Sequence, residues 1–339
     1  MSAMIAGAWT VDAWTLVEVE FTDLLPAVVL IQTKEGKSFI VPTAVWSGYT
    51  KPCKSAPCIR KYITNNSSKV PLALLTTLSL SLCHFNNLKS YMKELKSNYT
   101  GCHQINATLD KSGYCVLNAS SVIEWLSCSK EELLDLATTW NDLPNDNYLK
   151  DGGRYRYRRH GSFVFENNSL VKVPHRAHWQ PIDYNALHGG IERWFEPIKD
   201  TTLKKIAWGK ILIQFASTAS SVQGDNQIKW CIEAHQFRID TTDGIGRPTP
   251  EGAHRDGVDF VAVFMVNRKD IKGGETRVFD ANGPSGERFT LDESWSLLLL
   301  DDKRVIHEST PIQPIKEAGY RDTLVVTLRR NFFQDLIKS

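Results

Sequence analysis

The C-terminal part of the chain consists of short apolar runs separated by turn residues. Seven runs follow one another from Ile228 onward, with no helical pattern between them; they are KWCIEAHQFRI, DFVAVFMV, ETRVFD, ERFTL, WSLLLLD, VIHES and DTLVVTLRR. Many short strands without intervening helices are typical of two antiparallel sheets packed together, or of a closed barrel. The pattern therefore predicts an antiparallel sandwich or barrel here.

The residues before these strands have a mixed pattern. AVVLIQT and KSFIVPTAV flank a short Gly-bearing connection at 34–37, which predicts a hairpin, and residues 71–97 have a helical pattern. Ser129 and Glu132 form a capping box that predicts a helix start. Two strand-like runs, RYRYRRH and SFVFENN, follow, and then helices predicted at 184–195 and 201–217.

Charge and cysteine content limit the classes of partner and compartment. The 40 basic and 38 acidic residues leave a net charge of +2, so a polyanion would need a local basic patch. Seven cysteines at irregular spacings indicate free thiols in a reducing compartment. The first residues lack a secretory pattern and no apolar run reaches membrane-spanning length, so we expect a cytoplasmic protein with no membrane partner.

A histidine and an aspartate two positions apart precede the strand DFVAVFMV. The side chains of His254 and Asp256 leave the same face of an extended backbone. His307 follows in VIHES, on a strand that can lie across the interior of a sandwich. Two imidazoles and one carboxylate form the facial triad that binds Fe(II) and leaves three positions open. For either histidine alone, an ordinary hydrogen-bonded role is the simpler interpretation.

An arginine opens the last strand. Arg321 can pair through two parallel hydrogen bonds with a carboxylate and stays charged when partly buried, so it is the expected anchor for the distal carboxylate of 2-oxoglutarate. Thr323 lies on the same face and can add a hydroxyl donor. A lone arginine at a strand start is otherwise most often a surface cation, and the order HxD, His, Arg favours the anchoring role.

Four blocks of the sequence resemble the small Fe(II)- and 2-oxoglutarate-dependent dioxygenases that act on free amino acids, typified by bacterial L-isoleucine dioxygenase. They are PTPEGAHRDGVDF, NRKDIKGGETRVFD, LLDDKRVIHESTPI and GYRDTLVV. By this resemblance His254, Asp256 and His307 are the iron ligands, and Arg321 binds 2-oxoglutarate. The blocks lie within 228–330, with a fainter likeness from about 150, whereas the first 145 or so residues match nothing in the bacterial members. The resemblance also extends to fungal members in secondary metabolism, including ring-forming oxidases of amino acids.

The expected fold is mainly β with flanking helices. A distorted double-stranded β-helix, the jelly roll of cupins, is expected over 149–339, after an N-terminal α/β extension over 1–148. The expected enzyme uses Fe(II), 2-oxoglutarate and O2, oxidises an unactivated C–H bond of a free L-amino acid or close derivative, and releases succinate and CO2. Either hydroxylation or ring formation is compatible with this chemistry. The expected partner is the small substrate, with no nucleic acid.

Substrate contacts are predicted on the strand KWCIEAHQFRI. Gln236 and Arg238 share one of its faces, and His235 and Phe237 share the other. Arg238 can hold a substrate carboxylate, with Gln236 beside it, if their face points inward. A solvated cation is the alternative interpretation of Arg238.

Two other functions fit parts of the pattern. A nucleobase or nucleic-acid demethylase uses the same triad, and Arg154, Arg156 and Arg158 alternate with tyrosines as in a single-stranded nucleic-acid groove. We expect instead a solvated, charged edge strand there. Such demethylases usually carry a second arginine six positions after the first, where this chain has Thr327. The second alternative is a non-catalytic, cupin-like interaction protein whose triad is vestigial or holds zinc.

Overall fold

A computed structural model of the chain describes residues 99–149, 152–182, 184, 189–283 and 285–335, and the backbone of five strands between residues 3 and 47. The chain divides into two units, Met1–Leu95 and Lys96–Ser339.

The N-terminal unit contains an antiparallel sheet in the order β1-β2-β3-β4, with β5 also paired to β3. Its strands are β1 (Ala3–Val11), β2 (Trp14–Phe21), β3 (Leu24–Lys34), β4 (Lys37–Ile40) and β5 (Trp46–Ser47). β3 and β4 pair up to Lys34 opposite Lys37, which confirms the predicted hairpin. The helix predicted at 71–97 lies outside the described residues.

A seven-stranded antiparallel sheet forms the centre of the second unit. In sheet order its strands are β6 (Tyr114–Leu117), β14 (Ser296–Asp301), β10 (Phe260–Lys269), β17 (Tyr320–Arg330), β9 (Trp230–Asp240), β7 (Arg156–Glu166) and β8 (Ser169–Lys172). Two smaller sheets accompany it: β13 (Gly286–Phe289), β12 (Thr276–Asp280) and β15 (Val305–Ser309), and β11 (Ile271–Gly273) with β16 (Ile312–Pro314). All seven apolar runs are strands, which confirms the jelly-roll prediction.

Helices pack on one face of the large sheet. They are α1 (Ile105–Ser112), α2 (Ala119–Leu126), α3 (Lys130–Ala137), α4 (Asp200–Leu203) and α5 (Ile206–Gln223), with 3-10 turns at Cys102–Gln104 and Thr138–Trp140. α3 begins at the predicted capping box. α4 and α5 occupy the region of the helix predicted at 201–217. In the described part of the chain, none of the helices is long and apolar enough to cross a membrane.

Side-chain alternation gives the large sheet two different faces. On β17, Leu324, Val326 and Leu328 join the core formed with the helices, in which Leu212 and Phe215 of α5 are buried. The opposite face of the sheet packs in part on the small sheets, through a second core that includes residues of β10, β12 and β14. The same face also carries the polar residues described below.

Two expectations about organisation are corrected by the structure. The helix predicted at 184–195 is wrong for residues 189–195, where the backbones of His178 and Arg193 exchange two hydrogen bonds as an isolated antiparallel bridge, and residues 185–188 lie outside the described part of the chain. The boundary expected after residue 148 also differs from the structure, because β6 pairs with β14 and the helices α1–α3 contribute to the core of the large sheet. Residues 99–148 therefore belong to the unit that carries the jelly roll.

Candidate functional site

The two histidines of the predicted triad are joined by their main chains. The N–H of His254 donates to the carbonyl of His307 at 3.0 Å, and the N–H of His307 donates to the carbonyl of His254 at 2.9 Å. His307 lies in β15, and His254 precedes β10. This bridge holds the two imidazole centroids 4.7 Å apart.

Asp256 lies against both rings. Its Oδ1 is 3.7 Å from Nε2 of His254, and its Oδ2 is 3.7 Å from Nε2 of His307. One ligand atom from each of the three residues lies within 4.8 Å of the others. The triad can therefore surround a single metal ion with two nitrogens and one oxygen, leaving a face of an octahedron free.

Further hydrogen bonds orient these three side chains. Nδ1 of His254 is 2.9 Å from the carbonyl of Gly252, so the ring donates there and its Nε2 faces the site. Gln180 donates to Oδ1 of Asp256 at 3.2 Å. Asp302 accepts the backbone N–H of Asp256 at 2.9 Å and those of the next two residues at 2.8 and 3.1 Å. Partners of this kind fix ligand orientation in metal sites.

The protonation of the triad follows from burial and mutual charge. Burial opposes a charge on His254, but the hydrogen bond and charge of Asp256 raise its pKa to about 9. Burial and the neighbouring His254 lower the pKa of His307 to about 4. Burial opposes the charge of Asp256, yet the two histidines hold its pKa below the usual range. These pKa values give an ionised Asp256 between a protonated His254 and a neutral His307 imidazole, and a metal ion would replace the proton on Nε2 of His254.

Arg321 and Thr323 line the same cavity as the triad. The volume of this cavity is about 130 Å³. Arg321 is only 4% exposed, and its Nε and Nη2 have no hydrogen-bond partner among the residues that the structure describes. Burial and the neighbouring Arg268 lower the pKa of Arg321 to about 10, so it remains charged at neutral pH. A buried cation with two free N–H groups fits a carboxylate ligand.

The predicted substrate contacts Gln236 and Arg238 lie on the opposite face of β9 from this cavity. Arg238 donates two hydrogen bonds of 2.7 Å to Asp322, and Gln236 donates to Thr139 at 2.9 Å. Glu233, His235 and Phe237 line the cavity instead. The direct substrate role expected for Gln236 and Arg238 is therefore wrong, since alternation identified the two faces but not the inner one.

The arginines of β7 were expected on a solvated edge strand, and this too is wrong. β7 lies between β8 and β9, and Arg156 and Arg158 are buried and line the cavity. Arg193 and Glu251, which were not among the predicted site residues, line it as well. The alternation in RYRYRR was the available signal for Arg156 and Arg158. Arg193 stands in no motif that would have identified it, whereas Glu251 lies in the block PTPEGAHRDGVDF, three positions before His254.

A second histidine group, His160, His178 and His235, also brings three ring nitrogens within 4.8 Å of one another. Glu233 accepts from His160 at 3.1 Å and from His178 at 3.2 Å. Arg158 donates to Nδ1 of His235 at 2.7 Å. The guanidinium of Arg158 already engages Nδ1 of His235, and its positive charge would repel a metal ion. This histidine group is therefore a hydrogen-bonded part of the cavity wall and not a metal site.

Comparisons with known proteins agree with this geometry. The structure is similar to a bsmA homolog from Methylobium petroleophilum PM1, with a TM-score of 0.65 and 48% identity over 70% of this chain and 96% of that one. It shares its fold with IDO from Bacillus thuringiensis, with a TM-score of 0.56 and 18% identity over 68% of this chain and 100% of that one. The chain also shares its fold with the Fe(II)/(alpha)ketoglutarate-dependent dioxygenase TqaL, with a TM-score of 0.53 and 20% identity over 68% of this chain and 87% of that one.

No curated protein sequence matches the chain. Residues 137–327, more than half of the chain, match the family described as 2OG-Fe dioxygenase. This match covers the triad, Arg321, all of β15 and most of β17. The chain therefore belongs to the 2OG-Fe dioxygenase family, and it is an oxidoreductase that uses Fe(II), 2-oxoglutarate and O2.

Proposed function

We propose that this enzyme oxidises an unactivated C–H bond of a free L-amino acid or a close derivative. In this proposal His254, Asp256 and His307 hold Fe(II), while Arg321 and Thr323 hold 2-oxoglutarate. The observation that carries the assignment is that the triad and the unpaired N–H groups of Arg321 line one buried cavity.

The donor set of the triad suits ferrous iron. Imidazole nitrogens and a carboxylate oxygen bind Fe(II) without blocking the positions that a chelating cosubstrate and O2 require. The bridge between His254 and His307 and the hydrogen bonds of Asp302 hold the ligands before the metal arrives. Little reorganisation is then needed on binding.

The residues around the triad place and shield the reactants. When bound, Fe(II) couples decarboxylation of 2-oxoglutarate by O2 to removal of hydrogen from a C–H bond, giving succinate and CO2. Arg321 pairs with the distal carboxylate and Thr323 adds a hydroxyl donor on the same face. Val325 of the same strand lines the cavity too and excludes water from it. Hydroxylation and ring formation both fit this arrangement.

Two observations support a free amino acid as the substrate. The four sequence blocks resemble those of oxygenases acting on free amino acids. The cavity wall also carries both arginine and glutamate side chains, which suits a small zwitterion. The basic strand that favoured a nucleic-acid substrate no longer does so, because Arg156 and Arg158 are buried.

Spectroscopy tests the iron and cosubstrate assignments. Anaerobic addition of Fe(II) and 2-oxoglutarate should produce a visible charge-transfer band, which His254→Ala should abolish. Arg321→Leu should raise the 2-oxoglutarate concentration that gives half of the maximal band intensity by about 100-fold. Arg329→Gln, at the other end of β17, is the matched control and should behave as wild type. A flat spectrum from folded wild-type protein would contradict the assignment.

Product analysis tests the substrate class. The twenty proteinogenic L-amino acids should be screened for succinate formation in the presence of O2, with mass analysis of the products. At least one amino acid should support succinate formation and give a product that has gained one oxygen atom or lost two hydrogen atoms. Coupling to a methylated nucleobase or to a peptide, and to no free amino acid, would overturn the substrate class while leaving the iron chemistry intact.

A further inference from the structure

Three arginine side chains that the iron and 2-oxoglutarate assignments do not use are buried on the cavity wall. Arg193, Arg158 and Arg156 are 2%, 4% and 6% exposed. Each keeps one N–H nitrogen with no hydrogen-bond partner in the described part of the chain: Nε of Arg193, Nε of Arg158 and Nη2 of Arg156. Buried donors of this kind are costly unless a ligand supplies the acceptor.

The three guanidinium groups are held in place by other residues. The guanidinium carbon of Arg158 lies 3.6 Å from the ring centroid of Phe195 and 4.4 Å from that of Phe237. Nη2 of Arg193 donates to Gln180 at 2.9 Å, and Nε of Arg156 donates to Asp146 at 2.7 Å. The unpaired donors are therefore preorganised, which reduces the entropy cost of binding an anion.

Their positive charge is only partly balanced on this side of the cavity. The carboxylate of Asp146, whose side chain is fully buried, lies 2.7 Å from Arg156 and 3.6 Å from Arg158. One anion thus faces these two cations, and Arg193, which is repelled by Arg156, is also attracted by Glu251 and Glu233. Burial and the charge of Arg156 lower the pKa of Arg193 to about 10, so it stays cationic at neutral pH. An anionic ligand would relieve the repulsion among these arginines.

The cavity also holds one unpaired acceptor. Oε2 of Glu251 is buried and has no hydrogen-bond partner among the residues described. Its Oε1 lies 3.7 Å from Nε2 of His254, so this carboxylate stands beside the triad. A carboxylate with a free oxygen in such a place fits an ammonium group.

We propose that Arg193, Arg158 and Arg156 bind the α-carboxylate of the substrate and that Glu251 binds its α-ammonium group. The inference rests on the proposed function, which it deepens. It makes these four residues the specificity-determining contacts. The unpaired N–H donors of the arginines and the unpaired oxygen of Glu251 line the same cavity. Together they select a ligand whose α-carboxylate and α-ammonium groups are both free. The enzyme therefore rejects peptides, amides and N-acylated amino acids, because each leaves a buried charge unpaired.

Binding measurements with the Fe(II)- and 2-oxoglutarate-loaded protein, kept anaerobic, test this. The probes are the twenty L-amino acids, with the primary amide and the N-acetyl derivative of each, titrated by calorimetry. For any amino acid that binds, the amide and the N-acetyl derivative should bind about 100-fold more weakly. Arg193→Gln should weaken the free acid by about 100-fold and leave its amide unchanged. Glu251→Gln should weaken the free acid and leave the N-acetyl derivative unchanged.

Arg159→Gln is the matched control, because Arg159 is in β7 with its side chain bonded to the carbonyls of Pro197 and Asp142 instead of lining the cavity. It should not change the selectivity, and every variant should keep the charge-transfer band. Three results would each overturn the inference: no free amino acid binds, wild type binds the blocked forms equally well, or Arg193→Gln weakens the amide as much as the acid. Binding without succinate formation would instead count against the proposed function and leave the subsite standing.

Discussion

The carboxylate of Asp302 accepts the backbone N–H of Asp256 at 2.9 Å, and so it positions the segment that carries the carboxylate of the triad. The same carboxylate accepts the next two backbone N–H groups. Burial and the charge of Asp256 raise the pKa of Asp302 above its usual value. By contrast, the side chain of the neighbouring Asp301 accepts one hydrogen bond in the described part of the chain, from the backbone N–H of Lys303.

Asp302→Asn should therefore weaken iron binding without unfolding the protein. An amide turns N–H donors toward backbone N–H groups, so at least one of the three bonds is lost and Asp256 loses its fixed position. We expect Fe(II) affinity to fall by about 10- to 100-fold, as for other residues that orient metal ligands. Metal titration followed by the charge-transfer band measures this, and Asp301→Asn is the control. Equal affinities for the two variants would contradict the orienting role.

Arg238→Gln should reduce stability and not substrate affinity. Arg238 pairs through two hydrogen bonds with Asp322, whose side chain is 2% exposed, so the substitution leaves a buried carboxylate without its cation. We expect a loss of about 2 to 3 kcal/mol in the free energy of unfolding, with the KM for substrate unchanged. Urea unfolding and steady-state kinetics check the two parts. A raised KM with normal stability would return Arg238 to the substrate site.

Acid should destabilise the protein through the histidines on the cavity wall. Burial lowers the pKa of His178 to about 4 and that of His235 well below 6.5. The unfolded chain binds protons on these rings near pH 6.5, whereas the folded chain does not. The free energy of unfolding should thus fall as pH drops from 6.5 toward 4, by up to about 1.4 kcal/mol per pH unit for each ring. His235→Gln should flatten this slope in urea unfolding at several pH values, while His103→Gln, at an exposed position, should leave it unchanged.

The unit boundary can be tested by truncation. A chain of residues 96–339 should fold alone, because it keeps β6 and the helices α1–α3. A chain of residues 149–339 loses the partner strand of β14 and exposes the sheet face that these helices cover, so it should aggregate. Thermal unfolding by circular dichroism and size-exclusion chromatography distinguish the two. Cooperative unfolding of the shorter chain would support the boundary expected from the sequence.

The parts of the fold that were predictable from sequence are those set by local patterns. Apolar runs with period two gave the strands, and the capping box at Ser129 gave the start of α3. The triad was also accessible, because His254 and Asp256 share a short motif and His307 stands in a strand. Such signals depend on neighbouring residues alone.

The remaining features depend on contacts between distant segments. The inner face of β9 is set by where the helices pack, which places His235 in the cavity wall and Arg238 on the opposite face. The burial of Arg158 depends on the rings of Phe195 and Phe237, which pack on its guanidinium, and on Asp146 beside it. Arg193 reaches the cavity from a segment bridged to His178, in a region whose composition suggested a helix.

The backbone bridge between His254 and His307 has a consequence for metal choice. Because two main-chain hydrogen bonds fix the distance between the backbones of these residues, the rings can follow an ion of different radius only by rotating about their side-chain bonds. The backbone of Asp256 is likewise held by Asp302. We therefore expect discrimination among divalent ions at this centre to depend on how far three side chains can rotate on a fixed backbone.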